Sequence, residues 1–121
     1  MFTFKSPANP KNIWTLCFRD RKTMDNLFYE GRQPDDNARI HGFTEFVNST
    51  IYIDKELDGV PLSKVLRHEL THVYLWETGQ QNRMCNEEEI CEIMSVAAPE
   101  ICRVTNEIIL RLKEGLYKKG E

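Results

Sequence analysis

The sequence predicts an α+β fold: a small antiparallel sheet from the first half of the chain, packed beside helices that fill the second half. Three observations lead there. Up to about residue 60 the apolar residues come in short β-branched and aromatic runs broken by Pro, Asn, Asp and Gly, the pattern of strands and turns. Beyond that point the apolar spacing becomes helical. The length, 121 residues with 40% hydrophobic content, suits a single domain over 1–121. Such a chain buries roughly two thirds of the surface it would expose unfolded.

The first expected strand is Ile13 to Phe18. Phe43 to Val47 and Ile51 to Ile53 are two more, and Asn48-Ser49-Thr50 between them supplies polar turn residues for an antiparallel hairpin. Between Arg19 and Arg39 the only apolar cluster, Met24-Leu27-Phe28-Tyr29, reads as one short helix ended by Gly31. Pro61 suits a first helical turn, Ser63 is an alternative cap, and Gly79 is a natural stop, which defines a helix of about 16 to 18 residues. Asn86 can cap a second helix, with Glu87 and Glu88 in a first turn that favours negative charge. Pro99 interrupts it, and Ile101, Val104, Ile108 and Leu112 continue the spacing into Lys118-Lys119 as a third helix or a kinked continuation.

Sixteen basic and 19 acidic residues are mixed along the chain for a net charge of -3, with no basic stripe, so nucleic acid is not an expected partner. No apolar run approaches the ~18 to 20 residues that span a bilayer, and Met1-Phe2-Thr3-Phe4-Lys5-Ser6-Pro7 lacks the basic and apolar segments of an export signal. No membrane association is expected either. Cys17, Cys85, Cys91 and Cys102 show no CxxC spacing and read as reduced thiols of a cytoplasmic protein.

Chemistry concentrates in His68-Glu69-Leu70-Thr71-His72, an HExxH pattern. Spacing of i, i+4 on a helix puts both imidazoles one turn apart, able to share one ion, with Glu69 beside them as base for a bound water. On a helical wheel with His68 at zero, His72 falls at about 40° and Glu69 at about 100°, among Val65, Trp76 and Leu62. Only Lys64, Arg67 and Thr71 form a polar stripe. The helix is therefore expected to be packed almost all round with the motif facing inward, where unpaired charge is costly and a bound dication relieves the conflict. The plainer alternative is a pair of core histidines hydrogen-bonded to neighbours.

A catalytic zinc takes three protein ligands and leaves one position for water. The longer pattern with a Gly and a third His is excluded, since Leu75 and Thr78 occupy those places. The third donor is expected from Glu87-Glu88-Glu89-Ile90-Cys91-Glu92. Glu88 is the expected ligand, with Glu92 one turn on to orient a histidine, and Glu89 is the alternative. Ile90, Ile93, Met94 and Ala97 are expected to bury a face that turns these carboxylates inward. Glu87 reads as solvated, and Cys91 reads as a small buried hydrophobe more readily than as a thiolate ligand.

His68 to Gly79 followed by Asn86 to Met94 resembles the small zinc metallopeptidases of phages and prophages, related to the ImmA/IrrE-like group of gluzincins. Gly42-Phe43-Thr44 and Ile51-Tyr52-Ile53-Asp54 are similar to the hairpin that precedes the active helix in that group. The resemblance spans roughly Gly42 to Ile101. It implies a zincin-like minimal fold, zinc held by His68, His72 and Glu88, and Glu69 as catalytic base. The group usually carries Asp or Asn four residues after the ligand Glu, where this chain has Glu92.

The expected reaction is hydrolysis of a peptide bond by a zinc-activated water with Glu69 as general base. The substrate is a protein or peptide, a repressor or another regulatory protein among the candidates, lying extended along a strand edge of the hairpin. No oxyanion donor is assignable from the sequence: His41 is the best candidate, but it reads more readily as an exposed loop histidine. Tyr52 and Tyr74 follow, although Tyr74, near 240° on the wheel, reads as a packing residue. The competing function is a zinc-binding regulatory or interaction protein without turnover. Glu69 favours the enzyme, because a structural site needs no base.

Overall fold

The computed structural model describes residues 2–28, 40–81 and 84–115. Its elements in chain order are β1 (Phe2–Lys5), β2 (Ile13–Arg19), α1 (Arg21–Phe28), β3 (Gly42–Glu45), β4 (Thr50–Asp54), α2 (Gly59–Glu77) and α3 (Glu87–Lys113). Four strands form one sheet in the order β1-β2-β4-β3. The architecture is α+β, a four-stranded sheet followed by two long helices.

The sheet is mixed rather than antiparallel. The β1–β2 and β3–β4 pairs are antiparallel, whereas β2 runs parallel to β4 with Leu16 opposite Ile51 and Phe18 opposite Ile53. A parallel pair needs a crossover connection, and α1 lies in the stretch that makes it. Gly31, the expected stop for that helix, falls outside the described residues, as does the Lys118-Lys119 tail. The expected hairpin is present as β3–β4, and Ser49 in its turn takes a φ of 49°.

Strand β1 was not anticipated, although Phe2-Thr3-Phe4-Lys5 alternates buried and exposed as a half-buried strand must. It pairs with β2 and is tied to α3 by Arg111, which donates to the Thr3 carbonyl at 2.9 Å and lies over the Phe2 ring. One face of the sheet, with Phe2, Phe4, Trp14, Leu16, Phe18, Ile51 and Ile53, forms the core together with residues from α2 and α3. Helix α2 packs on the β3–β4 side and α3 on the β1 side.

Helix α2 starts at Gly59, capped by Asp58, which accepts from the Gly59 N–H at 2.9 Å. Ser63 therefore lies inside the helix rather than capping it. Gly79 ends it as expected, at a φ of 70°, and its N–H reaches the Trp76 carbonyl. Helix α3 is one continuous helix through Pro99, not two. A helix-interior proline forfeits a backbone bond at a cost of about 3 kcal/mol. Here Pro99 faces solvent, and the chain on its C-terminal side is held by a buried row of Ile101, Val104, Thr105 and Ile108.

Asn86 caps α3 as the sequence predicts, accepting from the Glu89 N–H at 2.8 Å. Asn86→Ala is expected to remove about 1 kcal/mol of stability. A lower urea midpoint with an unchanged slope is the corresponding observation.

Candidate metal and catalytic site

Position on α2 decides the environment of each motif residue. The buried side chains of this helix are Leu62, Leu66, Glu69, Leu70, Val73 and Tyr74. At 3.6 residues per turn that row leaves His68 and His72 to one side of the core. The inward-facing expectation is thus corrected in part: Glu69 is buried at 4% exposure, while the His68 side chain is 69% exposed and His72 is also exposed. The apolar neighbours misled because Trp76, one turn beyond His72, is itself 46% exposed.

The two imidazoles sit edge to face with ring centroids 5.1 Å apart. Behind them the Glu69 carboxylate accepts a hydrogen bond from Thr44 Oγ1 at 2.9 Å on Oε1, while Oε2 lies 3.9 Å from His68 Nε2. Burial pushes the Glu69 carboxyl above the ordinary glutamate value, opposed by the Thr44 hydrogen bond and by His72 and His68. A carboxylate raised in this way is a stronger proton acceptor than an ordinary glutamate.

Strand β3 builds the other wall. Its alternate residues Gly42, Thr44 and Phe46 face α2: a Cβ at Gly42 would lie 2.8 Å from Val65 Cγ1 and 3.3 Å from Glu69 Cγ, Thr44 holds Glu69, and Phe46, just past the strand, stacks on Trp76 at 4.8 Å. Sequence reasoning missed Thr44. Its signal was a polar residue on the strand face that the hairpin register turns toward the motif helix.

The same alternation puts His41 on the far side of the sheet. Its carbonyl accepts from the Asp54 N–H, and its Nδ1 stands 3.9 Å from the fully buried Asp54 carboxylate. Tyr52 stacks on Phe43 on that same far side, and Tyr74 is buried in the core. None of the three candidate oxyanion donors is brought to Glu69.

The acidic first turn of α3 is also placed differently from expectation. Glu88 and Glu92 are exposed and Glu89 is half-buried. Ile90 and Met94 are exposed as well, so the apolar face meant to turn these carboxylates inward is buried only at Ala97 and partly at Ile93. Cys91, expected to be buried, is exposed. Among the described residues no three His, Cys, Asp or Glu side chains converge into a metal-holding group. The paired imidazoles with a buried carboxylate fit two of a zinc ion's donors and its base, and the third donor is not gathered to them. No helix among the described residues is long and apolar enough to cross a membrane. Comparison with family models, with curated proteins and with solved structures finds no match to this chain.

Proposed function

We propose that this chain is a zinc-dependent peptidase of the zincin-like kind that the sequence resembles. One observation carries the reading: two exposed imidazoles one helical turn apart, backed by a buried carboxylate that a strand residue holds in place. A histidine pair buried for packing has no need of exposure, and a surface pair has no need of a buried acid between them.

His68 and His72 would hold the ion, with Glu88 as third donor and Glu89 as its alternative. An ion held there would supply Lewis acidity to a substrate carbonyl and to a water. The Glu69 carboxylate would take the proton from the attacking water and return it to the leaving amine. Thr44 keeps that carboxylate in one orientation. An extended peptide running antiparallel to β3 would pass over the imidazole row, because β3 runs alongside α2.

Elemental analysis of the purified protein tests the ligand set. About one zinc per chain is expected, as for a mononuclear site, lost in Glu88→Ala and kept in Glu89→Ala. The reverse result reassigns the third donor. Chelator-sensitive cleavage of an unfolded protein substrate supports the peptidase. A full complement of zinc with no cleavage supports the regulatory alternative instead, and no zinc at all removes both.

A further inference from the structure

The row of His68 and His72 continues by one more turn to Trp76, on the same side of α2. Trp76 stacks on Phe46 with ring centroids 4.8 Å apart and planes 28° from parallel, yet keeps 46% of its surface exposed. The turn that carries it is anchored: Glu77 accepts from Trp14 Nε1 at 2.8 Å and from Asn12 Nδ2 at 2.6 Å, pinning the end of α2 to the start of β2. The result is a fixed apolar shelf beside the paired imidazoles, at the end of the strand that flanks them. A fixed shelf binds without the entropy loss of ordering two loose rings.

We infer that the Phe46–Trp76 stack is the specificity subsite of the proposed peptidase, taking a large apolar or aromatic side chain of the substrate on the N-terminal side of the scissile bond. The inference rests on the peptidase reading for its link to a scissile bond. The side follows from direction. Contacts from Gly42 to Val65 and Glu69, from Thr44 to Glu69 and from Phe46 to Trp76 show that β3 and α2 advance together. A peptide antiparallel to β3 therefore has its N-terminal portion beside Phe46. The distance follows from pitch. Trp76 is four residues from His72, about 6 Å along the axis, and an extended peptide advances about 3.4 Å per residue. The selected side chain is thus one or two residues from the cleaved bond.

The test uses the full zinc-loaded chain and two acetylated, amidated hexapeptides that differ only in carrying Phe or Gly at the third position. Binding is read by calorimetry on the Glu69→Gln protein, which does not consume the peptide. The Phe peptide is expected to bind about tenfold more tightly, the low end of what burying one such side chain contributes. Of the chain's two tryptophans Trp14 is 2% exposed, so a blue shift of emission on binding reports Trp76. Adding Trp76→Ala should erase the preference and Trp76→Phe should restore most of it. Equal affinity for the two peptides, or a preference that survives Trp76→Ala, overturns the subsite.

With active wild-type protein, fragment masses should place Phe at or next to the new carboxyl terminus. Phe at or next to the new amino terminus overturns the orientation. The two readings fail separately. Intact peptides after incubation with the wild type, together with a Trp76-dependent preference in binding, sink the peptidase and leave an apolar peptide-binding shelf.

Discussion

Glu69→Gln is expected to keep the metal and lower peptide cleavage by about 10²- to 10⁴-fold, the range that a positioned general base contributes. Unchanged turnover in that variant would remove Glu69 from the chemistry. The same substitution carries a second signature in the metal-free protein. Burial holds the folded carboxyl above its ordinary value of 4.5, so between the unfolded and folded values the folded state binds more protons than the unfolded one. Stability therefore falls as pH rises from the ordinary carboxylate range through the raised value, and levels off above it. Gln cannot ionise and still offers an oxygen to Thr44, so the variant escapes that fall. Urea unfolding should find metal-free Glu69→Gln more stable than the wild type near neutrality, with the difference shrinking below about pH 4.5. A gap that widens toward acid would contradict the burial argument.

The second large effect is expected at Gly42→Ala. The added methyl would stand 2.8 Å from Val65 Cγ1, 3.1 Å from Ile53 Cδ1 and 3.3 Å from Glu69 Cγ. Overpacking of this kind costs about 1 to 3 kcal/mol. It also strikes the site directly, because relief requires β3 to withdraw from α2, and Thr44 withdraws with it. Thermal unfolding should show the lost stability, and kcat should fall more than KM rises, since the base is displaced while the peptide's own contacts remain. Full activity in a folded Gly42→Ala protein would mean that the strand's close approach does not position Glu69.

Much of this arrangement is legible before any coordinates. Turn residues and caps carry local information, so Gly79 and Asn86 are where the sequence puts them and the hairpin is present, although its turn begins at Phe46 and Thr50 already belongs to β4. The HExxH spacing likewise needs only a helix to place two imidazoles together. What failed was information that lives between elements. An apolar wheel cannot distinguish a Trp buried in the core from one stacked on Phe46 at the surface, and so it turned both histidines inward. Parallel pairing of β2 with β4 depends on a crossover that no local pattern encodes. Pro99 reads as a break because propensity takes no account of the buried row that continues α3 beyond it. Whether a carboxylate on α3 meets the imidazoles is likewise a matter of how two helices sit on each other.

Helix α3 is docked for only part of its length: from Ala97 onward it has a buried row, whereas Glu87 to Val96 are exposed apart from half-buried Glu89 and Ile93. Local opening is cheapest where few apolar contacts must be undone. The stretch that carries the acids, held by its Asn86 cap and its own backbone ladder, is therefore expected to exchange its amide hydrogens sooner than the sheet and the remainder of α3.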